Sequence, residues 1–159
     1  MPYAYNLSSG GSSYTVPEFL GPPRSPEVAM AIPIPQKARE ILDGLNFAHI
    51  ATVMKDGSPQ VSPVWVYRHD DHVMIATGVD RIKTRNIKRD PRVAVSIAPL
   101  GAPFPPLLIR GKVVELITGE PAVDGFVEVS KKYGTADPKR PPASERVVYK
   151  IEVTHCNVK

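Results

Sequence analysis

Six basic side chains fall within GVDRIKTRNIKRDPRV, residues 78–93, and the stretch reads as one short helix followed by a proline stop. Asp80 is placed as the N-cap, with Arg81, Ile82 and Lys83 in the first turn and Pro91 closing the helix. Ile82 and Ile87 are expected to face the core. Lys83 then stands at the core's edge near the helix N-terminus, while Arg81, Arg85 and Lys88 or Arg89 fall on a largely solvated side. Free N–H groups and the positive end of the helix dipole favour an anion at that end. A lysine there, beside the Thr77 hydroxyl at the end of the preceding strand, forms a compact phosphate site. A helix that merely shows its charges to water fits the same composition. An Asp80 carboxylate capping that end would compete with a phosphate.

Other chemistry is hard to find. The chain contains no G-x-G-x-x-G and no G-x-x-x-x-G-K-[ST], and its elements do not alternate βαβ, which argues against a Rossmann or P-loop nucleotide site. His49, His69, His72 and His155 are scattered; His69 and His72 flank a hairpin turn, where solvated imidazoles are commoner than a metal site, so no metal is expected. Ser62, Ser96 and Ser130 lack a nucleophile-elbow context, and no hydrolytic constellation stands out. Catalytic residues are left unassigned.

The elements that must position the basic helix are mostly strands. At 159 residues the chain suits one domain, and a net charge of +4 permits anionic partners without requiring nucleic acid. Residues 1–34, rich in Ser, Gly and Pro, read as an extended or disordered N-terminal arm, with Met30 an alternative start. The compact domain is set at 35–159. A helical stripe over Ala38, Ile41, Leu42 and Leu45 comes first, with Pro35 suited to its first turn. Strands are expected at 47–54, 61–68 and 72–78, joined by an Asp-Gly turn and by HDD. After the basic helix come a strand at 92–98, a proline-laden loop at 99–106, and a strand at 107–117 with Gly111 as a bulge. A helix from Glu120, with Val123, Phe126, Val127 and Ser130 on one face, precedes a final strand from Arg146. The sum is a mainly β protein: roughly six antiparallel strands in a small barrel, with about three flanking helices. A single cysteine, Cys156, excludes an internal disulfide; no apolar run is long enough to span a bilayer, and a cytoplasmic protein is expected.

The order of these segments resembles the pyridoxamine-5′-phosphate-oxidase-like split β-barrel family, and within it the flavin- and deazaflavin-dependent oxidoreductases. The resemblance rests on IATV, DGSPQVSPVWV, a strand ending in ATG, and KTRNIKRDPRV leading into the next strand. It covers residues 36–117 well, the last strand loosely, and the arm not at all. It implies a homodimer with two cofactors in grooves at the subunit interface. Ser62, Pro63, Val64 and Trp65 would run beside the ring and ribityl chain, Ala76 and Thr77 would follow, and Lys83, with Arg85 in support, would take the phosphate. Pro106 and Leu107 would approach the ring from the partner subunit. Trp65 is read either as a core or interface residue or as a direct ring contact. The chain departs from the oxidase proper: Ser62 stands where that enzyme has an arginine, Ile82 where it has a basic residue, and the oxidase's C-terminal Trp and Arg have no match.

The resemblance implies hydride transfer between coenzyme F420 and a small organic substrate; Arg81, Arg85, Lys88 and Arg89 would suit that cofactor's anionic tail. FMN is the alternative cofactor, in an oxidase or reductase of the pyridoxamine phosphate oxidase type. A non-catalytic carrier of flavin, deazaflavin or haem is the other alternative. Nucleic-acid binding is disfavoured because the basic residues crowd one helix and the strands carry few exposed aromatics.

Overall fold

The computed structural model describes residues 30–101 and 105–158. Seven strands form one antiparallel sheet: β1 (Ala48–Val53), β2 (Pro59–Val64), β3 (Tyr67–His69), β4 (His72–Gly78), β5 (Arg92–Ile97), β6 (Leu107–Ile117) and β7 (Arg146–Asn157). Three α-helices accompany it: α1 (Gln36–Asp43), α2 (Ile82–Arg89) and α3 (Glu120–Lys132). The mainly β split-barrel class expected from the sequence is the one observed. There are seven strands instead of six because 61–68 is not continuous: Trp65 and Val66 separate β2 from β3.

That break shapes the barrel. The sheet order is β2-β1-β5-β6-β7-β4-β3, so β2 and β3 stand at opposite ends of it. Yet only Trp65 and Val66 lie between them, and three residue steps reach at most about 10 Å. The sheet must therefore curl until its two ends nearly meet, without a β2–β3 ladder to seal them.

Alternation along the strands fills the interior. Ala48, Ile50 and Thr52 of β1, Val93, Val95 and Ile97 of β5, and Val147, Tyr149, Ile151 and Val153 of β7 all point inward and are buried. Ile34 is 2% exposed and Ile32 packs beside it, with the Ile32 N–H donating to the Val153 carbonyl. The core thus recruits residues assigned above to the N-terminal arm. The rest of that arm, residues 1–29, lies outside the described residues, as do 102–104 of the proline-rich loop.

A second apolar layer sits outside the sheet, where α3 covers Tyr67, Met74 and Val148 through Ala122 and Val129. Val123 and Ser130 are buried as expected, but Phe126 and Val127 are only half-buried, and Gly125 takes the close-approach position. A Cβ on Gly125 would lie 2.5 Å from the Tyr67 hydroxyl. Gly111 is the bulge anticipated: the β6–β7 register shifts there, and a Cβ would meet the Glu152 carbonyl. The Asp-Gly turn also forms, with Gly57 at positive φ and the Asp56 carboxylate accepting from both Ser58 N–H and Ser58 hydroxyl.

Candidate functional site

Helix α2 starts one residue later than the sequence suggests. Arg81, not Asp80, is the N-cap residue, and neither supplies a side-chain cap. The Asp80 carboxylate is therefore not the helix cap, although it stays beside Gly78 at the same end of α2. The buried face also differs from expectation. Ile87 faces the core, but Ile82 is 47% exposed, and the buried residues are Thr84, Asn86 and Ile87.

Hydrogen bonding explains the choice. Thr84 Oγ1 donates to the Gly78 carbonyl at 2.9 Å and lies 2.5 Å from the Tyr149 hydroxyl. Asn86 Nδ2 donates to Thr52 Oγ1 at 3.0 Å, and Thr52 donates to Gln60 Oε1 at 3.0 Å. Arg89 reaches the Val53 carbonyl. The helix is thus fastened to β1, β4 and β7 by directional polar contacts, which outweigh the apolar pull on Ile82. Around the wheel the order runs Asn86, Lys83, Ile87, Thr84, so Lys83 lies within the inward arc.

Lys83 consequently reaches across to β2, its Nζ 3.3 Å from Ser62 Oγ. Among the described residues it is the side-chain hydrogen bond that joins two of the candidate residues. Half-burial, and secondarily the positive charge of Arg81, hold the Lys83 ammonium below its ordinary pKa. Among the described residues no carboxylate lies within ion-pair reach of it. By contrast, Arg39, Arg68, Arg92 and Arg140 are each paired with Asp or Glu. Lys83 and Ser62 together offer an ammonium and a hydroxyl to an oxyanion, the donor set a phosphate needs. Arg85 is not part of this pair; it turns back to donate to the Asp80 carbonyl at 2.6 Å.

The remaining candidates are distributed over both faces of the sheet. Ser62 pairs with Ile50 and Val64 with Ala48, so both point inward, whereas Pro63 pairs with His49 and points outward. Thr77 pairs with Val147 on the inner face; Ala76 pairs with Val148 on the face beneath α3. Trp65 is half-buried and stacks on Tyr133, ring centroids 5.1 Å apart and planes 5° from parallel. Tyr133 is fixed in turn by donating to the Asn46 carbonyl and by accepting from Val66 N–H. Lys132 beside it donates to the Leu42 and Val66 carbonyls. Trp65 is therefore committed on one ring face to packing within its own chain. Pro106 is half-buried, and Leu107 is 0% exposed in the core, leaving its backbone alone for contact with a neighbouring chain.

Two concavities lie on the outer face of the sheet, and none of the ten candidate residues lines either. One, about 380 Å³, is walled by His49, Val61, Ser96 and Leu108; the other, about 880 Å³, by Arg92, Arg110 and Lys112 among others. The Lys83–Ser62 pair is judged the better candidate site, because chemistry and not concavity distinguishes it. Among the described residues no cluster of His, Cys, Asp and Glu could hold a metal ion, and no helix is long and apolar enough to cross a membrane.

Sequence reading missed Thr84, Asn86, Tyr133 and Tyr149. Their partners are distant in the chain, and no local pattern announces them. The one available signal was two short polar residues alternating with charged ones in a helix otherwise short of core contacts.

A curled seven-stranded sheet, with a basic helix fastened beneath a lysine–hydroxyl pair, has the architecture of the split-barrel class. The sequence profile described as pyridoxamine 5′-phosphate oxidase matches residues 34–159, and the chain belongs to that family. Its fold is similar to that of a solved protein named F420 reductase, at 26% identity and a TM-score of 0.71, covering 78% of this chain and 98% of that one. It is also similar to a conserved hypothetical protein from Mycobacterium tuberculosis, at 18% identity and a TM-score of 0.64, covering 79% and 84% respectively. No curated protein matches the sequence.

Proposed function

We propose that the chain is an F420-dependent oxidoreductase whose Lys83 and Ser62 hold the cofactor phosphate, with β2 running alongside the remainder of the cofactor. The observation that carries this reading is the Lys83 ammonium, half-buried, 3.3 Å from the Ser62 hydroxyl and without a carboxylate partner among the described residues. An ammonium in that state gains most from an anion brought by a ligand. When bound, a flavin or deazaflavin supplies the hydride chemistry. The chain's own part is to fix the phosphate end, to present Ser62, Pro63 and Val64 along the ring and ribityl chain, and to shield that groove from water.

The choice of F420 is supported by the likeness to the F420 reductase and by Arg81, whose positive charge acts on Lys83 and would suit a longer anionic tail. FMN is the second reading, favoured by the matching family profile. A homodimer follows from the same reading. Val61 and Leu108 are 59% and 44% exposed on the sheet's outer face, and a second copy lying there would cover them. The substrate is a small organic molecule that meets the open side of the ring.

Trp65 is the single tryptophan and directly follows β2, so its quenching is the chosen readout of binding. Titration with F420 and with FMN at low and moderate salt is expected to give micromolar or tighter F420 binding and weaker FMN binding. The reverse preference selects the FMN reading, and binding of neither refutes both. Lys83→Ala is expected to weaken binding by about ten- to a hundredfold, the worth of one charge-assisted hydrogen bond. A folded Lys83→Ala protein that binds as tightly as the parent refutes the phosphate assignment.

A further inference from the structure

A lysine can select a phosphate only if its helix is held in one place, and the N-terminus of α2 has no side-chain cap to do this. The next residue does it instead. Thr84 is 1% exposed and donates its one hydroxyl proton to the Gly78 carbonyl, at the end of β4. Its oxygen must therefore accept from the Tyr149 hydroxyl, 2.5 Å away. Tyr149 is 0% exposed in the middle of β7, surrounded by the barrel core. Burial pushes its hydroxyl up to about 12, so it remains a donor at any working pH. The chain of contacts runs from the rigid centre of β7, through Thr84, to the first turn of α2 and the end of β4. Lys83 is one residue from the fastened position, and its direction toward Ser62 follows from that fastening.

We infer that Tyr149, acting through Thr84, is a positioning residue for Lys83 and sets how well the site distinguishes a phosphate-bearing cofactor from its phosphate-free core. The inference rests on the phosphate reading of Lys83 given above. Among the described residues the Tyr149 hydroxyl bonds to Thr84, not to Lys83 or Ser62. Its contribution is orientation: without its hydroxyl, Thr84 keeps one anchor instead of two, and the first turn of α2 gains freedom to swing.

The test compares affinities for FMN and riboflavin, and for F420 and its phosphate-free deazaflavin core, in the parent, Tyr149→Phe, Thr84→Ser and Lys83→Ala. Tyr149→Phe keeps the ring packed in the core and removes only the hydroxyl. It is expected to lower the phosphate-bearing to phosphate-free affinity ratio about five- to tenfold while leaving the phosphate-free affinity unchanged. Thr84→Ser keeps the relaying hydroxyl and is expected to retain the parental ratio. An unchanged ratio in Tyr149→Phe, or equal losses on both members of a pair, overturns the inference and leaves Tyr149 a core residue. Lys83→Ala separates the two readings. If it retains the parental ratio, the phosphate assignment itself fails; if it loses the ratio while Tyr149→Phe keeps it, only the positioning role fails. Failure of the parent to bind any of the four compounds overturns both.

Discussion

Gly125 is where the seating of α3, and with it the Tyr133–Trp65 stack, can be tested most directly. In Gly125→Ala the new Cβ would lie 2.5 Å from the Tyr67 hydroxyl and 3.0 Å from a Val148 methyl. Both neighbours are buried, Tyr67 at 7% exposure and Val148 at 1%, so neither can turn out into solvent. Overpacking of this kind costs about 1–3 kcal/mol. Alanine returns about 1 kcal/mol through its better helix propensity. A contact as short as 2.5 Å puts the cost at the upper end of that range, so the net expectation is a loss of about 1–2 kcal/mol, which for a chain of this size lowers the melting temperature by about 2–8 °C. Tyr67→Phe removes the oxygen that makes the nearest contact. The next Tyr67 atom is 3.5 Å from the Cβ, an ordinary separation, though the Val148 methyl remains. Denaturant melts of the parent, the two single variants and the double variant therefore form a cycle. The Gly125→Ala cost is expected to shrink by about 1 kcal/mol when Phe occupies position 67. A Gly125→Ala protein as stable as the parent with Tyr67 intact would refute the close-approach reasoning.

Other consequences follow from the same physical terms. Gly111→Ala points a Cβ at the Glu152 backbone carbonyl, which cannot rotate away, so a loss of about 3 kcal/mol or failure to fold is expected in thermal melts and soluble yield. Asn86→Ala removes the donor to Thr52 Oγ1 within a buried network and is expected to cost about 1–3 kcal/mol by denaturant titration; a neutral result would mean that α2 does not depend on this contact. Lys132 has its pKa held below 10.5 by burial, partly offset by Asp43. The folded protein therefore binds fewer protons there than the unfolded chain between the depressed value and 10.5. The associated stability is present above 10.5 and is lost as pH falls through the depressed value. Relative to Lys132→Met, the parent is expected to gain stability between pH 8 and pH 11, and a flat difference across that range would refute the reading.

Much of the fold could be read from local pattern, because each readable feature depends on neighbours in sequence. Val93, Val95 and Ile97 alternate as a half-buried strand must, Asp56-Gly57 turns as its backbone freedom requires, and Gly111 marks the bulge. The misreadings have a common physical origin. Residues 61–68 looked continuous because Val64, Trp65 and Val66 are all apolar; the break arises from the barrel's need to close, which no local window records. Ile82 was placed in the core on hydropathy, yet the helix turns on the hydrogen bonds of Thr84 and Asn86, whose partners are Tyr149 and Thr52, 65 and 34 residues distant. The position of Lys83 was legible for the same reason that its fixation was not. Helical spacing places it at the core's edge, but only the tertiary structure supplies Ser62 as its neighbour and Tyr149 as its indirect support.

The polar anchoring of α2 bears on why the helix is built this way. An apolar underside of Leu or Val would bury more hydrocarbon, but dispersion and hydrophobic burial are weakly directional and tolerate small slides and rotations. Hydrogen bonds from Thr84 and Asn86 are narrow in angle and distance, and their loss inside a core is expensive, so they fix register and rotation together. Such precision is of little use to a helix whose charges only face water. It matters for Lys83, because a half-buried ammonium without a counter-ion lowers stability unless something external compensates. The chain carries sixteen acidic residues and places several of them on its arginines, yet the described structure puts none against Lys83. An unpaired charge, held rigidly beside a hydroxyl, is the arrangement expected of a site completed by a ligand's oxyanion, and that conjunction is what separates Lys83 from the five other basic residues in the same stretch.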